Sequence, residues 1–175
     1  VSRLLRIMGY SVYDTDSEAK RLMESSLEVV QKLSECFGRD IYHNGRLNRG
    51  LLSSRVFGKS DKIVLLNSIV HPVVRFDFYR WSESLNEEIC FVESAILYES
   101  RFDELVDEVW TVTAPEELRI SRVRQRSGLT EEEIKKRMAA QLSEEEKQRR
   151  AAHIIWNDGN VSVIHRVLSL LKSLE

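Results

Sequence analysis

Cysteine is scarce in this chain: Cys36 and Cys90 are the only two, far apart and each in an apolar neighbourhood. With no CxxC pair and no Cys/His ligand spacing, the sequence argues against a structural zinc and fits a reducing, cytoplasmic setting. Proline occurs only as Pro72 and Pro115, and seven glycines leave little room for linkers. No apolar run approaches the ~20 residues that a membrane helix needs, and no signal-peptide pattern is present. Charge of one sign is not in excess either. The formal net charge of −2 argues against a protein whose main partner is the phosphate backbone of nucleic acid. Internal repeats and low-complexity tracts are absent.

What is present is an ordinary globular composition, 42% hydrophobic and 31% charged over 175 residues, enough for one domain with a substantial core. The chain begins at Val1 without a methionine. In "VSRLLRIMG", Val1, Leu4, Leu5 and Met8 fall at helical spacing and Gly9 supplies the stop, so a helix that starts further upstream is expected. "YSVYD" reads as a short buried strand. Ser17 reads as the cap of a helix reaching about Cys36, and helix continues through "RLNRGLLSSRVFG". "DKIVLLNSIVHPVVRFDFYRWSESL" predicts two helices, with Pro72 in the first turn of the second. "EICFVES" and "VDEVWTVTA" are strands, and Pro115 opens a helix with acidic residues in its first turn. Thr130 caps more helix, "HIIWNDG" is a last strand, and the tail from Val161 to Leu174 has helical spacing. Short apolar strands separated by helices indicate an α/β fold, a parallel sheet covered on both faces. The roughly 70 mostly helical residues between the first two strands exceed what a crossover needs, and predict an inserted helical lobe.

Asp14 and Asp16 stand at the exit of the first strand, where open parallel sheets bind ligands. Two readings stay open. One acid caps the following helix and the other is solvated, or Asp16 is a base or orienting group for a hydroxyl. Glu93 leaves the second strand at the same edge, with Glu99 beyond it. Acids from neighbouring strands can hold a magnesium ion through its water shell, or stand solvated in loops. Arg119, Arg122 and Arg126 recur at i, i+3 and i+7 on one helix face, with Arg124, Arg137, Arg149 and Arg150 further along. Arginine forks match phosphate oxygens. Lys135 and Lys136 in "EEEIKKR" are read as ion pairs of a solvated face. Arg122 and Arg126 have no acidic partner at helical spacing and are read toward phosphate. Asn157 in the Asn-Asp-Gly turn serves the turn alone or meets a nucleotide base. The four histidines show no metal spacing, and His71 before Pro72 is either a substrate ligand or a helix-entry residue.

Taken together, "VYDTDSEAKRL", "GRLNRGLL", "NSIVHPVV", "ESAILYES", "TAPEELRISRVRQRSGLTEEEIKKRMAAQ" and "IIWNDG" resemble, in order and spacing, the dephospho-CoA kinases, P-loop kinases of coenzyme A synthesis. The resemblance runs from Val1 to about Leu174. It implies phosphoryl transfer from ATP, with Mg2+, to the ribose 3'-hydroxyl of dephospho-CoA. It implies a kinase core of residues 1–16 and 89–175 with a lid at about 119–150, and a helical acceptor lobe over 17–88. On that resemblance Asp16 accepts or orients the hydroxyl proton. Arg122 and Arg126, with Arg137 in the lid, meet the ATP phosphates, and Asn157 lies at the adenine edge. His71, Arg75, Ile96 and Leu97 line the acceptor site, and Glu93 is the candidate metal contact.

Two departures stand out. The family's Asp-x-Pro-Leu-Leu reads Glu93-Ser94-Ala95-Ile96-Leu97 here, with a longer acid and no proline. No GxxxxGK[ST] loop, the motif that cradles ATP phosphates, occurs in these residues. The expectation is a kinase whose first strand and Walker A loop lie outside the sequence, inactive as it stands. A related kinase acting on a nucleoside or nucleotide and a non-catalytic module that holds coenzyme A are the competing readings.

Overall fold

The computed structural model describes residues 1–174. The chain forms two compact units, Tyr10–Ala95 and Val1–Gly9 together with the chain from Ile96 onward.

The Tyr10–Ala95 unit is built on a parallel pair, β1 (Val12–Asp14) and a later strand over Phe91–Glu93, in the register Val12↔Phe91, Tyr13↔Val92, Asp14↔Glu93. Asp14 is both the last residue of β1 and the N-cap of the next helix, so strand passes directly into helix. With the short N-terminal helix (Ser2–Ile7) numbered α1, that next helix is α2 (Thr15–Ser25). The cap expected at Ser17 therefore lies three residues earlier. The helix expected to reach Cys36 also divides: Ser26, extended at ψ 114, ends α2 and caps α3 (Leu27–Phe37). Serine offers its own oxygen to the orphan N–H groups of a helix start, which makes a break there inexpensive. Gly38 ends α3 at φ 95, and a Cβ on it would stand 2.6 Å from Arg55 Nη1. Glycine is required there.

The continuous helical reading of the next stretch also fails. Asn44 (φ 49) and Gly45 (φ 75) turn a hairpin between β2 (Tyr42–His43) and β3 (Arg46–Leu47). Two successive positive φ angles are what an Asn-Gly turn supplies. Asn48 then caps α4 (Arg49–Val56). The largest correction concerns the two helices expected around Pro72: Ser60–Ser84 is one helix, α5, with Pro72 inside it. Buried Val70 before the proline and Val74 and Phe78 after it recur every four residues along one side of α5, and Ile69 is buried too; α5 packs on α2, α3 and α4. Apolar burial on both flanks outweighs the missing N–H. The strand Phe91–Glu93 is β4.

The second unit begins with α1, whose C-cap Met8 is followed by Gly9 at φ 95, the stop that the spacing predicts. Its sheet is β5 (Trp110–Thr113) parallel to β6 (His153–Trp156), paired from Trp110↔His153 to Thr113↔Trp156. Pro115 caps α6 (Glu116–Ser127), which ends at Gly128 in the left-handed region. Thr130 and Glu133 form a capping box at α7 (Glu131–Ala139). Ser143 starts a separate helix, α8 (Glu144–Arg150), so the run expected from Thr130 is two helices. Helix α9 (Val163–Leu171) buries Val167, Leu170 and Leu171. Among the described residues no helix is long and apolar enough to cross a membrane.

Candidate functional site

The Asp14/Asp16 pair separates into two jobs. Asp14 Oδ1 accepts the N–H groups of Asp16 (3.1 Å) and Ser17 (3.2 Å), and Oδ2 accepts the Ser17 hydroxyl (2.8 Å). Both of its oxygens are spent on the helix start. Asp16, in the first turn of α2, is exposed, and its carboxylate has no protein partner among the described residues. Across the strand pair, Glu93 is opposite Asp14 in register, exposed at the carboxyl end of β4. The two strand ends are tied by the Thr15 hydroxyl, which donates to the Glu93 carbonyl at 3.0 Å. This edge therefore presents two uncommitted carboxylates, Asp16 and Glu93.

No group of three or more His, Cys, Asp or Glu that could hold a metal ion occurs among the described residues. Mg2+ is ordinarily held through one or two carboxylates together with substrate phosphates and water, and the exposed carboxylates of Asp16 and Glu93 are groups of that kind. Glu99, the other acid of this region, is committed, accepting the Leu142 N–H at 2.7 Å.

His71 and Arg75 stand one turn apart on α5. Burial, and then the positive charge of Arg75, push the His71 imidazole below its ordinary pKa. At neutral pH it is an uncharged donor and acceptor. Toward the end of the helix, Asp77 accepts both the Tyr13 hydroxyl (2.7 Å) and Arg21 Nη2 (2.8 Å). Burial above all, and the Asp77 carboxylate, hold Tyr13 protonated far above the usual tyrosine range. This cluster ties α2 to α5.

In the second unit, the structure brings together Arg122 and Asn157. Arg122 Nη1 donates to the Asn157 carbonyl at 2.6 Å, and the Asn157 N–H donates to the Thr113 carbonyl at 2.8 Å. Asp158 completes the turn by accepting the Asn160 N–H at 2.9 Å, a bond that lowers its carboxyl pKa. Arg126 is exposed one turn beyond Arg122, with no partner among the described residues. Arg137 is exposed on α7. Arg119, on the same helix stripe, is engaged instead by Glu144 at 3.0 Å. Lys135 pairs with Glu131 at 2.7 Å, the surface ion pair that its spacing predicts. Ile96 and Leu97 are half-buried in the turn after β4, where their carbonyls accept from Ser100 (2.9 Å) and Phe102 (2.8 Å).

Sequence reasoning missed the Glu144 contacts with Arg119 and Thr113, which join segments distant in sequence and leave no local trace. It also missed the Asn-Gly hairpin, whose dipeptide was a readable signal.

The profile of the dephospho-CoA kinase family matches residues 1–162. A dephospho-CoA kinase of Porphyromonas gingivalis is 36% identical over 175 residues, covering 99% of this chain and 87% of that protein. One of Salinibacter ruber is 38% identical over 170 residues, covering 95% of this chain and 85% of that protein. Among solved structures, TT1252 from Thermus thermophilus superposes with a TM-score of 0.85 at 33% identity, over 98% of this chain and 88% of that one. The dephospho-CoA kinase from Campylobacter jejuni gives a TM-score of 0.70 at 22% identity, covering 99% and 90%, a likeness of fold. These neighbours agree with the α/β class expected from the order of elements and with the P-loop kinase-like fold that the resemblance implies. With the profile matching residues 1–162 of this chain and relatives above 30% identity covering 95–99% of it, this chain belongs to the dephospho-CoA kinase family.

Proposed function

We propose that the protein transfers the γ-phosphoryl group of ATP to the ribose 3'-hydroxyl of dephospho-CoA in the cytoplasm, giving coenzyme A and ADP. The observation that carries this reading is the family match over residues 1–162, joined at the strand edge by Asp16, exposed in the first turn after β1. In this reading the hydroxyl oxygen attacks the γ-phosphorus, the bond to the β-phosphate oxygen breaks, and the hydroxyl proton passes to Asp16. Phosphoryl transfer runs through a loose transition state, so Asp16 acts chiefly by orienting the hydroxyl.

Arg122, Arg126 and Arg137 meet the phosphates, where a guanidinium fork neutralises charge on the transferring group. Asn157 meets the adenine edge. His71 and Arg75, in a helical acceptor lobe spanning residues 17–88, bind the acceptor, as do Ile96 and Leu97 beyond that lobe, and a neutral His71 suits hydrogen bonding to an uncharged acceptor group. Mg2+, when bound with ATP, offsets charge on the β- and γ-phosphates, and Glu93 is the residue that would contact its shell.

The test fuses a relative's first strand and Gly-rich lysine loop ahead of Val1 and compares dephospho-CoA with a panel of nucleosides and nucleotides. Preferred turnover of dephospho-CoA is expected, and Asp16→Asn should lower it roughly 10²–10⁴-fold, the usual range for a positioned acid–base group. Faster turnover of a nucleoside overturns the assigned acceptor. Acceptor binding with no ATP turnover overturns the catalytic reading in favour of a coenzyme A-binding module.

A further inference from the structure

We propose that Glu144 is a positioning residue that fixes the pitch of α6, and thereby where Arg122 and Arg126 stand for the phosphates of ATP; this rests on the kinase reading above. One carboxylate joins three elements. Its Oε1 is bound by Arg119 Nη1 of α6 at 3.0 Å and by Lys147 Nζ of α8 at 3.2 Å. Its Oε2 accepts the hydroxyl of Thr113, the last residue of β5, at 3.1 Å. A hydroxyl has a single proton to give. Gln148 Nε2 donates to the same Thr113 oxygen at 3.4 Å, which leaves that proton directed at Glu144. Thr113 is buried, 3% exposed, so the anchor is set in the core.

The same strand end holds the second anchor. The Thr113 carbonyl takes the Asn157 N–H, and the Asn157 carbonyl takes Arg122. Arg119 and Arg122, three residues apart on one helix face, are thus fixed on two routes to the carboxyl end of β5. Two attachment points set the tilt of a rod, and one does not. Arg126 lies seven residues beyond Arg119, about 10 Å along the axis. A tilt of about 6° there moves its guanidinium by about 1 Å, a displacement that can cost large factors in a positioned site. Arg119 has no ready substitute for its partner: its Nε is buried without an acceptor. With the Glu144 charge removed, the cation would turn toward water and release the first anchor.

The test is Glu144→Gln in the kinase carrying a Gly-rich loop. Its control is Glu146→Gln, a carboxylate of the same helix turn that pairs with Arg149 at 2.6 Å. The proposal predicts that Glu144→Gln raises the ATP KM on the order of tenfold, with the dephospho-CoA KM and the thermal midpoint close to the parent's. Amide hydrogen exchange over residues 119–126 should quicken, Glu144→Asp should restore most of the ATP KM, and Glu146→Gln should do neither. An ATP KM within twofold of the parent overturns the proposal. So does an equal effect of Glu146→Gln, or a rise of both substrates' KM together with a fall of the midpoint, which marks a merely structural residue. If the parent does not phosphorylate dephospho-CoA, the kinase reading falls instead. The ATP dissociation constant and the exchange of α6 then decide the role of Glu144 by the same criteria.

Discussion

Asp14 and Asp16 have the same side chain, two positions apart, and opposite fates. The difference comes from backbone conformation: Asp14 is extended (φ −97, ψ 102) and can fold its carboxylate over the helix start, whereas Asp16 is already inside the first turn. From sequence the pair was legible as important, but not which acid was which, because the cap position depends on where strand becomes helix. His71 carries a pH consequence. Its folded pKa lies below the ordinary 6.5, so on acidification the unfolded chain takes up the proton first. The stability owed to neutral His71 is complete above about pH 6.5 and is lost as pH falls from there through the lower folded value. Urea titrations at pH 7.5 and pH 5 should show a smaller loss for His71→Gln than for the parent. Equal losses would show that burial of His71 is without energetic weight.

Elements were legible where one signal dominated and misread where two competed. Thr130 before its glutamates and Pro115 before two more mark helix starts correctly because cap chemistry is local. Apolar spacing that runs on through Ser26 hid a break that one serine oxygen makes possible. Pro72 misled in the other direction. A proline interior to a helix removes one hydrogen bond and crowds the preceding turn, but α5 has buried side chains on both flanks to hold it straight through. Pro72 itself is exposed, so its ring adds no core packing. Pro72→Ala should therefore raise the free energy of unfolding, by up to about 3 kcal/mol. A urea midpoint at or below the parent's would show that the ring contributes contacts that outweigh the missing N–H.

At the scale of the molecule, each compact unit has its own parallel pair and its own buried centre: Val29, Leu33 and Ile41 in one, Phe102, Ile155 and Val167 in the other. The alternation of strands and helices made the α/β class readable, since both long pairs are parallel. The pairing partners were not readable, because β1 and β4 are more than seventy residues apart and only the folded chain brings Val12 beside Phe91. The proposed function divides its substrates along the chain. Arg122→Ala should raise the ATP KM roughly tenfold or more, the loss of a charge-assisted hydrogen bond, while the dephospho-CoA KM stays close to the parent's. Equal loss for both substrates would contradict that assignment.

The seat of Arg122 is a main-chain oxygen. Every amino acid supplies the same carbonyl, so the identity of the side chain at position 157 is free to drift without unseating the guanidinium. Under the proposed roles, replacing the side chain at position 157 would therefore alter the contact with the base while the guanidinium keeps its perch.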